Sequence, residues 1–174
     1  SDGSTDDTRQ KAKALKDKRV IFKDDGKRLG KSARLDYILR MFTGDVLFLI
    51  DADVTITDHR IIARTIRNGK LSKSGMVGVN AQPLPATTFV EKTLETSVAL
   101  MKDIAKSWNN GKNYLSFKGC FLALDGKFAK SLHMPAHIVN NDAFLYFAAL
   151  QSGFSPAYLN ETKVYYHSPK TLAD

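Results

Sequence analysis

Asp51 and Asp53 stand one residue apart at the end of the apolar run Val46-Leu47-Phe48-Leu49-Ile50. Carboxylates beside a core are costly to place there unless they hold a cation or do chemistry. An Asp-x-Asp pair at a strand tip can hold a divalent cation. The plain alternative is a pair of solvated acids in the loop that follows a strand. His167, after the strand-like Val164-Tyr165-Tyr166, is a candidate third ligand through a neutral imidazole nitrogen, although lone histidines are seldom ligands. Asp142, in the run Asn140-Asn141-Asp142 at a helix start, would be ionised and favoured by the helix dipole. It can take a proton from a hydroxyl as that oxygen attacks; an ordinary N-cap run is the plain alternative.

Two further groups of residues suit nucleotides. The opening Ser1-Asp2-Gly3-Ser4-Thr5-Asp6-Asp7-Thr8 reads as a tight turn into a helix N-terminus. Asp2 can accept hydrogen bonds there from a base or ribose, or simply belong to a capped loop. Gly30-Lys31-Ser32 looks like the end of a phosphate-binding P-loop, but that motif needs glycine at position 25, which is Asp25, and Gly26 is one residue late. Lys31 and Arg34 can still reach a diphosphate from a helix start, against the alternative of a solvated helix face. The sequence Asp51-Ala52-Asp53-Val54-Thr55 also fits a haloacid-dehalogenase-type phosphatase, with Asp51 as nucleophile and Asp53 as general acid.

These residues need elements to hold them. Apolar periodicity predicts helices over roughly 6–16, capped by Ser4 or Thr5, and over 31–42, burying Ala33, Tyr37, Ile38 and Met41. It predicts further helices after Asp58 (Ile61, Ile62, Ile66), over 89–108 (Val90, Leu94, Val98, Met101, Ala105, Trp108) and from Asn140 or Asn141 to Gln151, with Gly153 beyond its end. Strands are expected at 20–22, at 46–50 as a central strand buried on both faces, at 76–81, within 114–124, at Tyr158 and at 164–166. Alternating strands and helices imply an α/β fold with a mostly parallel sheet covered on both faces. The 174 residues suffice for one domain, 1–174.

Net charge is +8, from 26 Lys+Arg against 18 Asp+Glu, which favours an anionic partner such as phosphate, nucleic acid or an acidic membrane. A solvated basic surface explains the charge equally well. The single cysteine, Cys120, excludes an internal disulfide, suits a reducing compartment and reads as core. No stretch approaches the length of a bilayer span.

The order of the motifs resembles family 2 glycosyltransferases of the GT-A fold. The residues that carry it are Ser1–Asp6, Gly30–Asp36, Gly44–Asp53, Gly119-Cys120-Phe121 and Asn141–Leu145, so the resemblance covers nearly the whole chain. The phosphatase reading explains one block only. The resemblance implies a Rossmann-like domain that moves a sugar, with inversion, from a nucleotide-sugar, expected to be a UDP-sugar, to an acceptor hydroxyl. It implies Asp2 on the base, Lys31 and Arg34 near the base or diphosphate, Asp51 on the ribose or metal, and Asp53 on Mn2+ or Mg2+. It further implies Asp142 as general base and His167 completing the metal shell.

The chain departs from the family in three ways: no strand and Pro-bearing loop precede the first motif, Asn141 replaces the Glu that commonly precedes the base, and Leu124 stands where many members carry a basic residue. The opening Ser1, and an end at Ser168–Asp174 where membrane-linked polysaccharide synthases run on to further motifs and spans, suggest the catalytic part of a longer enzyme. That enzyme is expected at the cytosolic face of a membrane, against anionic lipid, with a glycan or lipid-linked acceptor and no nucleic acid partner. A catalytically inactive anion-binding domain is the third alternative.

Overall fold

A computed structural model describes residues 1–171. Leu172–Asp174, the end of the tail discussed above, lie outside the described residues. The chain divides into two compact units, Ser1–Phe42 with Leu132–Val139, and Thr43–Ser131 with Asn140 onward.

The first unit holds α1 (Thr8–Ala14) and α2 (Lys31–Met41). Asp7, not Ser4 or Thr5, stands at the start of α1, which buries no residue. Val20-Ile21-Phe22 forms no strand, and Val20 and Ile21 are exposed. A strand needs a neighbour to pair its backbone groups, and no strand lies in this unit among the described residues. The 31–42 helix forms as expected, but its buried row is Ser32, Leu35 and Leu39, while Tyr37, Ile38 and Met41 are exposed. Two apolar rows fit the same period, and the returning segment 132–139 selects one. The Ser32 hydroxyl donates to the Ile138 carbonyl at 2.6 Å, and the Met134 N–H donates to Asp36 at 3.0 Å.

The second unit contains β1 (Val46–Ile50), β2 (Val54–Thr55), α3 (Ile61–Asn68), α4 (Leu71–Ser74), β3 (Met76–Pro83), α5 (Phe89–Ser107), β4 (Phe121–Asp125), α6 (Gly126–Ser131), α7 (Asn141–Gln151) and β5 (Ala157–Tyr166). The five strands form one sheet in the order β1-β4-β3-β5-β2. Only β3 and β5 pair in parallel; β1 with β4, β4 with β3 and β5 with β2 are antiparallel. The α/β class holds, but the mostly parallel sheet does not. β1, β3 and β5 do point the same way, as strand–helix alternation demands. However, β4 runs against them and lies between β1 and β3. Its reversal comes from an out-and-back connection: after α5 the chain folds back, and the Asn113 side-chain amide donates to the Ala105 and Trp108 carbonyls at 2.8 and 2.6 Å. Periodicity does not record such a return.

β1 is therefore an edge strand, half-buried rather than central, with Leu49 buried and Ile50 exposed. The core beneath the strand ends combines Ile61, Val79, Ala81, Phe121 and Val164, with Phe48, Val54, Cys120 and Tyr166 packed against it. Burying an aromatic such as Phe121 contributes about 1.5–3 kcal/mol. α3 buries Ile61 and Thr65 but leaves Ile62 and Ile66 exposed. α5 buries only Glu91 and Ala105, so the expected stripe of Leu94, Met101 and Trp108 stays largely outside. No helix among the described residues is long and apolar enough to cross a membrane.

Candidate functional site

In the second unit one end of the sheet collects the chemistry. The register Ile50↔Phe121 makes Asp51 the neighbour of Cys120, and the Asp51 N–H donates to the Cys120 carbonyl at 3.0 Å. The chain turns at Ala52-Asp53, closed by the Val54 N–H on the Asp51 carbonyl at 3.2 Å, and re-enters the sheet as β2. Val54 pairs with Tyr166, so His167 follows on the strand beside Asp53. Pro83 also pairs with Tyr166. The carboxyl ends of β1, β3 and β5 thus share one edge, where ligands of α/β sheets bind.

Asp142 reaches the same edge from α7. Asn140 caps that helix, its side-chain oxygen accepting from the Ala143 N–H at 3.0 Å, and Asp142 occupies the first turn, where the helix dipole favours a negative charge. The Gly119 N–H donates to Asp142 Oδ2 at 2.6 Å. A Cβ at position 119 would run into the Asp142 carboxylate, so glycine is required there for close approach.

Cys120 reports the local field. Its thiol is pushed up to about 11, first by burial and next by Asp51, with Asp142 and Asp53 adding and Lys118 opposing. All three carboxylates therefore act on one half-buried sulfur, which stays a neutral thiol at physiological pH. Cys120 packs against the core, as the sequence reads, and also lies close enough to the three carboxylates to feel their charge. Lys118 lies over the Tyr166 ring, 5.5 Å from its centroid, and burial holds its ammonium below the usual range. Neither role is marked by spacing, because the partners come from distant strands.

Carboxylate oxygens are the hard donors that Mg2+ and Mn2+ take. Among the described residues no group of three or more His, Cys, Asp or Glu side chains is gathered so as to hold a metal ion. A cation at this edge would rest on one or two carboxylates and on a ligand's phosphates, the arrangement common where Mg2+ meets a diphosphate.

The first unit places the other expected residues. Asp2 accepts from the Leu29 and Gly30 N–H groups at 2.7 and 2.9 Å and from Arg34 Nε at 3.0 Å. The Leu29 N–H leads in holding its carboxyl below the usual range. Arg34 also pairs with Asp25 at 2.7 Å and donates to the Lys27 carbonyl. Its guanidinium ties the loop together, through a pairing with Asp25 that no motif marks. Gly3 has φ +71°, and a side chain there would press on the Lys27 backbone, which fits the expected tight turn. Lys31 is exposed at the first position of α2.

Residues 1–68 match the family model described as Glycosyl transferase family 2. Among solved structures, a mannosyltransferase from Pyrobaculum calidifontis in complex with GDP-Man and Mn2+ superposes with a TM-score of 0.72 at 17% identity, over 98% of this chain and 47% of that one. A mycobacterial protein superposes with a TM-score of 0.56 at 16% identity, over 98% of this chain and 56% of that one. The chain thus spans about half the length of these structures. No curated protein is significantly similar to it in sequence. Over residues 1–68 the chain thus resembles the family 2 glycosyltransferases, and its α/β fold is similar to that of the mannosyltransferase.

Proposed function

We propose that the chain binds a nucleoside diphosphate sugar and transfers the sugar, with inversion, to an acceptor hydroxyl. The observation that carries this reading is the shared edge of Asp51, Asp53 and Asp142, whose charges converge on Cys120. In this scheme Asp51 and Asp53 hold a divalent cation, with His167 beside them, while Asp2, Lys31 and Arg34 serve the nucleotide, Arg34 through the loop it ties together. When bound, the cation offsets charge growing on the departing diphosphate. The acceptor oxygen attacks the anomeric carbon, the bond to the diphosphate breaks, and the hydroxyl proton passes to Asp142. The Gly119 N–H fixes the direction of that carboxylate.

The donor class is a nucleotide-sugar. The motifs favour UDP, whereas the archaeal mannosyltransferase holds GDP-Man, so both bases belong in the test. The +8 charge supports a position at an anionic, cytosolic membrane face with a glycan or lipid-linked acceptor. Calorimetric titration with UDP- and GDP-sugars, with and without Mn2+, tests the reading. Metal-dependent binding of one series, lost in Asp53→Ala, is expected. Equal binding without metal, or no binding of either series, would sink it.

A further inference from the structure

A second concave site lies in the same unit, lined by none of the three carboxylates. It is a cavity of about 360 Å³ between α5, the chain that returns along it, and strands β3 and β5. This volume is at the small end of the usual range for ligand sites, roughly 300–1,000 Å³. Asp51, Asp53, Asp142 and His167 do not line it.

Its walls carry more positive charge than the fold neutralises. Lys102, Lys106 and Lys118 line it, with Asp103 as the one acidic lining residue, and Lys163 lies close enough to act on Lys102. Lys102 Nζ donates to a neutral acceptor, Asn80 Oδ1, at 3.1 Å. The Asn80 amide is itself oriented by donating to the Asn160 carbonyl at 3.0 Å, which turns its oxygen toward the lysine. Among the described residues neither Lys102 nor Lys118 has a carboxylate at ion-pair distance.

Burial, then repulsion from Lys118 and Lys163, holds the Lys102 ammonium below its usual range. Packing half-buried like charges without a counter-charge destabilises the unliganded fold. Two neutral donors complete the wall. The Gln82 carboxamide and the Tyr158 hydroxyl make no hydrogen bond among the described residues. Burial pushes the Tyr158 hydroxyl up to about 12, so it keeps its proton and can donate.

We propose that this cavity binds a tetrahedral oxyanion, the phosphate group of a small ligand, between Lys102 and Lys118, with Gln82 and Tyr158 as additional donors. Donors from α5, the return segment, β3 and β5 approach from different directions. That suits the oxygens of a phosphate better than the two coplanar oxygens of a carboxylate. The proposal rests on this cavity alone and does not depend on the sugar-transfer reading.

The test is NMR of the 174-residue chain labelled at lysine side chains, titrated separately with inorganic phosphate, a sugar phosphate and the same sugar unphosphorylated. Both phosphates should shift the Lys102 and Lys118 ammonium-end signals, and the neutral sugar should not. Tighter binding of the sugar phosphate identifies a phosphorylated organic ligand; equal binding identifies the free ion. Lys102→Gln and Lys118→Gln, tested separately in case one fails to fold, should each weaken phosphate binding about tenfold or more. Lys13→Gln, on the exposed face of α1, should change nothing. The proposal is overturned if neither phosphate moves the Lys102 and Lys118 signals, if the neutral sugar moves them equally, or if the folded variants bind phosphate like the parent chain.

Discussion

The loop around Arg34 and the cavity around Lys102 are both rich in cations, and they treat their charge in opposite ways. Arg34 is met by Asp2, by Asp25 and by the Lys27 carbonyl, so its fork of donors is spent inside the chain. Lys102 is met by a neutral amide oxygen, and Lys118 by an aromatic face. The first arrangement fixes a loop; the second leaves attraction available for a ligand. Position in a motif does not reveal which of the two a basic residue will be, since Arg34 lies in the better motif and is the more fully occupied. Asp142 accepts from the Gly119 N–H beside β4, and Asp2 is enclosed by two N–H groups and a guanidinium.

The largest expected effect tests whether Asp142 belongs with the groups kept for a ligand. Asp142→Asn should lower the transfer rate about 10²–10⁴-fold, the usual worth of a general base, with donor affinity retained. A normal rate would return Asp142 to a purely structural role. Gly119→Ala attacks the same carboxylate through its neighbour, because the new methyl collides with it. A misplacement of about 1 Å costs on the order of a hundredfold in rate. Steady-state kinetics should show this loss in kcat with the donor KM little changed; an unchanged kcat would mean that Asp142 can move without consequence.

Arg34→Lys probes the other side of the comparison. A single ammonium cannot reproduce a fork that spans Asp2 and Asp25. Amide exchange at Leu29 and Gly30, whose N–H groups Asp2 accepts, should quicken, and donor affinity should fall by about a few-fold. If exchange at those two amides is unchanged while affinity collapses, Arg34 acts on the nucleotide directly, and the contrast drawn here with Lys102 fails.

The sequence was most legible where one short stretch contains both signal and consequence. α7 begins at the Asn140 cap and ends just before Gly153 because capping chemistry is local. The turn at Asp51–Asp53 follows its apolar strand for the same reason. Legibility failed where a distant segment decides. The return of residues 132–139 chose the Leu35–Leu39 face of α2 over the equally periodic Tyr37–Met41 row. The reversal of β4 made β1 an edge strand and the sheet mostly antiparallel. The lysine-lined cavity joins residues from Asn80 to Asn160, a span within which no spacing rule operates.

The smallest predicted effect tests whether a carboxylate fully satisfied within the chain behaves as a structural charge should. Glu91 is buried at the start of α5, where it accepts from the Thr87 hydroxyl and N–H, each at 2.7 Å, and from the Thr88 N–H at 2.8 Å. The Thr88 hydroxyl oxygen in turn accepts from the Glu91 N–H, completing a capping box. These bonds, the Thr87 hydroxyl foremost, lower its carboxyl from an ordinary 4.5 to about 2. The folded chain therefore holds this proton less readily than the unfolded chain does. Its contribution is fully present above pH 4.5 and disappears as pH falls through 2. Glu91→Gln should melt slightly below the parent at neutral pH, and the gap should close between those two values in a thermal-melt series. A gap that stays constant down to the lower value would mean that Glu91 acts by shape rather than by charge. The distinction drawn between satisfied and waiting charges would then lose its electrostatic basis.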